Sequence, residues 1–212
     1  MVNKLFFSFI FLNLLCINLM LTAGMRTVDS STLVLIDRHM SIKNSKIPFT
    51  GRAIRKYKNG QLAEEAYYVN GQTEGLYRLW YKNGKLKIKI YFEQGIIQKK
   101  YQVWYSNGIK FIELTYSQGK LEGPAYAWYD NGQLWFECKF DGGNRSGLFA
   151  VWEKNGKLGF QVDVVEDAPL NGVYRSDTSG NIIIMPAFTY EYLVQNLMYK
   201  LSKMENKIIE TK

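Results

Sequence analysis

Acid–base and nucleophilic chemistry need side chains that this sequence scarcely holds. His39 is the only histidine in 212 residues, beside Asp37 and Arg38 and without a partner histidine or cysteine, which makes it a poor metal ligand. Cysteine occurs twice, at Cys16 and Cys138. Cys138 falls on a position held elsewhere by Ala66, Ile90, Leu114 and Val162, so it reads as a small buried hydrophobe rather than a nucleophile. Glu64-Glu65 is an adjacent acidic pair on a β-rich stretch, but consecutive strand residues point to opposite faces and cannot share a substrate. With no Ser-His-Asp set, phosphate loop or metal cluster evident, the sequence reads as non-catalytic, without cofactor or metal.

The residues that remain are aromatic. Trp80, Trp104, Trp128 and Trp152 recur at a step of 24, and Phe111 and Trp135 fall between them. Taken as one side of a sheet, these six form a column flanked by Arg78, Lys89, Glu113 and Glu137, with Lys87 interposed. Aromatic rows with neighbouring charges can stack on sugars, bind cationic groups or grip a peptide. They can also be cross-strand packing alone.

The elements that must position this column follow the same step. Asn-Gly recurs at Asn59-Gly60, Asn83-Gly84, Asn107-Gly108, Asn131-Gly132 and Asn155-Gly156, with Tyr57, Tyr81, Tyr105 and Tyr129 two residues before the first four. A fixed period of this length marks a repeat architecture, and Asn-Gly is the strongest short hairpin signal. A two-residue type I′ loop at each tip would pair Tyr81 with Leu86, Leu79 with Ile88 and Tyr77 with Ile90, and likewise Tyr129 with Leu134, Ala127 with Phe136 and Ala125 with Cys138. Those pairs form an apolar side, leaving Trp80 with Lys87 and Trp128 with Trp135 on the other. A second, looser loop of about four to six residues at Gly71, Gly95, Gly119 and Gly143 would close each unit. The predicted fold is mainly β: an elongated single-layer antiparallel meander of repeated hairpins over residues 49–185.

The ends depart from this pattern. Leu5 to Thr22 is uncharged and mostly apolar, preceded by Lys4 and followed by small residues, so residues 1–24 read as a secretory signal peptide, or as an N-terminal membrane anchor if uncleaved. Residues 25–48 contain the β-rich run Leu33 to Ile36 and read as a cap strand segment shielding the edge of the array. In residues 186–212, Tyr190, Leu193, Val194, Leu197, Leu201, Met204 and Ile208 fall on one stripe of an amphipathic helix. Thr189 is its expected N-cap. This helix reads as a cover for the apolar side, the other reading being a docking surface for another chain. The formal charge of +8 is scattered along the chain, which points to a solvated surface and away from a nucleic-acid groove.

The unit Tyr-x-Asn-Gly-x-Leu, followed by strands bearing Glu65, Glu113 and Glu137 and then Gly-x-x-x-Gly, resembles the variant MORN repeat (membrane occupation and recognition nexus). The likeness runs from Phe49 to Ile182 and includes the entry Pro48 to Gly51. It implies a repeat scaffold without catalytic residues, of the bacterial group described as antitoxin-like in toxin–antitoxin systems, many of them exported. The expectation is therefore a periplasmic, envelope or secreted module that binds a protein partner. The alternative is a cell-wall glycan or anionic membrane-lipid binder using the aromatic face.

Overall fold

A computed structural model describes residues 25–170, 173–176, 181–185 and 189–210. The expected signal segment lies outside them, as does Ser179-Gly180, the pair that follows Asn155-Gly156 one step of 24 later in the sequence. The chain opens with β1 (Thr27–Asp29), a 3-10 turn (Ser30–Thr32), β2 (Leu33–Ile36) and β3 (His39–Ile42). The first repeats comprise β4 (Gly51–Lys56), β5 (Leu62–Val69), β6 (Gln72–Thr73), β7 (Gly75–Trp80), β8 (Leu86–Glu93) and β9 (Ile96–Trp104). There follow β10 (Lys110–Ser117), β11 (Lys120–Leu121), β12 (Gly123–Trp128), β13 (Leu134–Asp141), β14 (Asn144–Trp152) and β15 (Leu158–Val165). The last elements are β16 (Ala168–Pro169), β17 (Val173–Ser176), β18 (Ile182–Met185) and one helix, α1 (Thr189–Glu210).

From β4 onward the long strands pair in chain order as one antiparallel meander, part of a 16-stranded sheet. The expected architecture is therefore found. At the N-terminal end β1 joins β4 in parallel, a pairing that the sequence reading did not foresee. The β2–β3 hairpin stands apart, with Leu33 packed on Phe49 and Ala53.

The two kinds of turn are the reverse of the expectation. At the Asn-Gly tips the Tyr81 N–H donates to the Lys85 carbonyl and the Gly84 N–H to the Tyr81 carbonyl, each at 2.9 Å. Only Gly84 has positive φ, at +81°. This is a three-residue loop, a type I turn closed by a left-handed glycine, not the two-residue type I′ loop. The type I′ turns sit at the opposite rim. There Asn70 and Gly71 have φ of +48° and +77°, and Gln94-Gly95 and Gln118-Gly119 repeat the geometry. The loose loops expected there are instead two-residue turns, and their hand matches the twist of the flanking strands.

The extra tip residue would put every side chain beyond it on the wrong face, but a β-bulge cancels it one pair later. Trp80 pairs with Leu86 and Leu79 with Ile88, leaving Lys87 unpaired between them. The same shift leaves Ala63, Phe111, Trp135 and Gly159 unpaired in the other copies. So the expected pairs Leu79–Ile88, Tyr77–Ile90, Ala127–Phe136 and Ala125–Cys138 are present. Tyr81–Leu86, Tyr129–Leu134, Trp80–Lys87 and Trp128–Trp135 are not, because they lie between the tip and the bulge.

One face of the sheet is covered. Tyr190, Val194, Leu197, Leu201 and Ile208 of α1 are buried against it, with Leu193 and Met204 beside them. Phe149 is fully buried, 5.8 Å edge-on from the Tyr190 ring and 5.8 Å stacked on Phe160. A single-layer sheet cannot exclude water from both faces, and the helix supplies the second layer on the apolar one. Lys87 Nζ reaches across to donate to the Ile209 carbonyl at 2.8 Å, placing a cation where the helix dipole favours one.

Candidate functional site

Both rims of the ribbon are stitched from one repeat to the next. The Tyr57 hydroxyl donates to the carbonyl of Trp80, Tyr81 to Trp104, Tyr105 to Trp128 and Tyr129 to Trp152, at 2.6 to 2.9 Å. Alongside, Asn83 Nδ2 donates to the Ser106 carbonyl and Asn107 Nδ2 to that of Asp130, while each Asn Oδ1 accepts the amide two residues on. At the opposite rim, Thr50, Glu74, Gln98 and Glu122 accept the first amide of the type I′ turn twenty residues later. The recurring tyrosines and asparagines are therefore latches. Their spacing was plain in the sequence, but their role becomes visible only when successive tips lie side by side. Burial pushes the Tyr81 hydroxyl up to about 12 and raises that of Tyr105 as well, so both remain donors at neutral pH.

These latches fix the strand ends that carry Trp80, Trp104, Trp128 and Trp152. All four are half-buried and alternate with core residues such as Leu79, Val103, Ala127 and Val151, which puts them on the face away from α1. The column read from sequence is thus split. Phe111 and Trp135, like Lys87, occupy the bulges and are buried on the helix-covered face, Phe111 against Tyr105 at 5.3 Å and Trp135 stacked on Tyr129 at 4.9 Å. A bulge turns two consecutive side chains to one side. The adjacent apolar pairs Phe111-Ile112 and Trp135-Phe136 are its trace in the sequence.

Charges on the open face are held in place. The Glu65 carboxylate, 4% exposed, bridges Arg52 and Arg78 at 2.6 Å each across three strands, and accepts from the Tyr67 hydroxyl at 3.1 Å. Arg78 in turn lies 5.7 Å from the Trp80 ring centre. Two strand pairs on, Glu113 gathers Lys100, Lys110 and Gln102. Lys110 Nζ stands 5.4 Å from the Trp128 ring, which also packs on Tyr126 at 5.7 Å. Burial disfavours the Glu113 carboxylate, but hydrogen bonds from Lys100, Lys110 and Gln102 outweigh it and hold the group at about 2. Cation and indole thus alternate along a rigid surface, an arrangement suited to recognition.

Residues with chemical potential lie elsewhere and are quiet. Cys138 is buried, and that burial pushes its thiol up to about 12, out of the reactive range. His39 Nδ1 lies 2.9 Å from the Asp37 carbonyl, at the β2–β3 turn and far in sequence from the tryptophans.

No curated protein matches the chain. Residues 49–70, 73–94 and 121–141 match the family described as MORN repeat variant. The first two stretches span β4 to β8 and the third centres on β12–β13. The hairpins built around Tyr57, Tyr81 and Tyr129 are thus similar to MORN-variant repeats, in a chain whose fold is a ribbon of repeated hairpins.

Proposed function

We propose that this chain is a non-catalytic scaffold that holds a protein partner against its tryptophan face. One observation carries the reading: α1 packs on the apolar face, and strand alternation turns four of the five tryptophans, each half-buried, toward the other. Half-buried indoles beside cations tied to carboxylates are already ordered, so a partner meets them at little entropic cost. Tryptophan, tyrosine and arginine, all present here, are the residue types that dominate binding energy at protein interfaces. The apolar stretch in residues 1–24 supports placement in the cell envelope, and the likeness to antitoxin-like proteins supports a cognate toxin as the partner.

The test is capture of partners from an envelope extract by the chain and by the double variant Trp104→Ala/Trp128→Ala, with circular dichroism confirming the fold. The double variant should retain about a tenth or less of the captured protein, as loss of two interface anchors does. Undiminished capture by a folded double variant would reduce the tryptophans to packing. Binding to glycans or anionic vesicles that disappears in the same variant would replace the protein partner with that ligand.

A further inference from the structure

The helix is shorter than the sheet it covers. α1 ends at Glu210 with Lys87 Nζ on the Ile209 carbonyl, so the apolar face of the first repeat continues past its end. There a groove of about 610 Å³ opens, with Ala63, Leu79 and Ile209 among its lining residues. That volume lies within the range of small-molecule sites. Its charged lining residues are Arg55, Lys58, Lys82 and Lys87, all cationic. The nearby Glu64 carboxylate does not line the groove and is engaged by Arg55, Tyr77 and Ser30. Burial, and after it the Arg55 charge, lower the pKa of the Lys87 ammonium, the mark of cations crowded together in a partly dry place.

We propose that this groove binds a small carboxylate-bearing molecule with an apolar body, such as a fatty or aromatic acid. The apolar body would lie on half-buried Leu79 and exposed Ile209 at the helix end, where it removes exposed hydrocarbon from water. The carboxylate would meet the cationic rim in charge-assisted hydrogen bonds. A neutral molecule of the same shape makes no charge-assisted contact with that rim. Trp80 also borders the groove, whereas Trp104 and Trp128 do not, so variants at those two tryptophans test the partner-binding face apart from this site.

Calorimetric titration of the full chain with dodecanoate and with dodecanol tests the assignment. Dodecanoate should bind once per chain, about tenfold more tightly than the alcohol, the ratio expected when a charge-assisted contact is made by one and not the other. Arg55→Gln/Lys58→Gln, at two exposed side chains, should remove that preference and leave dodecanol binding unchanged. Leu79→Trp should block both ligands by filling the floor, and Trp128→Ala should affect neither. Equal affinity for acid and alcohol, an unaltered preference in the double variant, or several dodecanoates per chain would overturn the proposal. So would capture by phosphatidylglycerol vesicles that is lost in Arg55→Gln/Lys58→Gln, since the groove's anion would then be a membrane headgroup.

Discussion

Replacing Phe111 and Trp104 separately by alanine compares two aromatic residues that the sequence groups together and the fold sets apart. Phe111 is fully buried at a bulge on the α1 face, against Tyr105. Truncating such a ring removes its transfer free energy and leaves a cavity in a site that β10 and the tyrosine latch prevent from collapsing, at a cost of about 3 to 5 kcal/mol. Trp104 is half-buried on the open face. Its truncation loses part of the burial and leaves no enclosed void, for about 1 to 2 kcal/mol. With a urea slope of about 2 kcal/mol/M, the midpoint should fall by about 2 M for Phe111→Ala and by less than about 1 M for Trp104→Ala. Urea titration followed by far-ultraviolet circular dichroism reads both. Because stability in a repeat array is shared between neighbours, the Phe111 variant is also expected to show an early transition of the central repeats. Equal losses, or a larger loss for Trp104→Ala, would refute the placement of the bulge residues under the helix.

Three further outcomes follow from the latches, glycines and charges. Tyr105→Phe leaves the Trp128 carbonyl without its 2.9 Å donor and should cost about 1 to 2 kcal/mol in the same titration. Gly75 has φ +74° with nothing within 4 Å of an added Cβ, whereas at Gly71, φ +77°, the Cβ would meet His39 Cβ at 2.7 Å and the Met40 carbonyl at 2.9 Å. Gly75→Ala should therefore cost only the left-handed backbone strain, about 1 to 2 kcal/mol, and Gly71→Ala distinctly more. Glu113 titrates at about 2, below its ordinary 4.5, so its contribution is present above pH 4.5 and is lost as pH falls toward 2. Glu113→Gln should flatten that acid limb in a pH series of urea midpoints.

The sequence announced the ribbon because glycine is hard to replace where φ is positive, and the Asn-Gly pairs mark those places at a constant step. Turn type was less legible. Asn83-Gly84 satisfies the sequence signature of a type I′ loop, yet only Gly84 takes positive φ. The true type I′ turns include Gln94 and Gln118, residues without the local hydrogen bonding that makes asparagine recognisable there. Pairing beyond the tip survived the error because the three-residue loop and the Lys87 bulge offset each other, so Leu79 still meets Ile88. The side of the sheet taken by Phe111 and Trp135 did not survive it, since a bulge breaks the alternation on which such assignments rest. The helix stripe was fully readable, as was the burial of Cys138. The parallel pairing of β1 with β4 was not, because three residues carry too little pattern to declare a partner.

Oxidative footprinting of the five tryptophans in the intact chain addresses the two-sided ribbon most directly. The account predicts modification at Trp80, Trp104, Trp128 and Trp152, and protection of Trp135, which is 6% exposed, until α1 is removed by truncation at residue 186. Trp135 reacting as readily as the other four in the full-length chain, or remaining protected after the helix is gone, would contradict it.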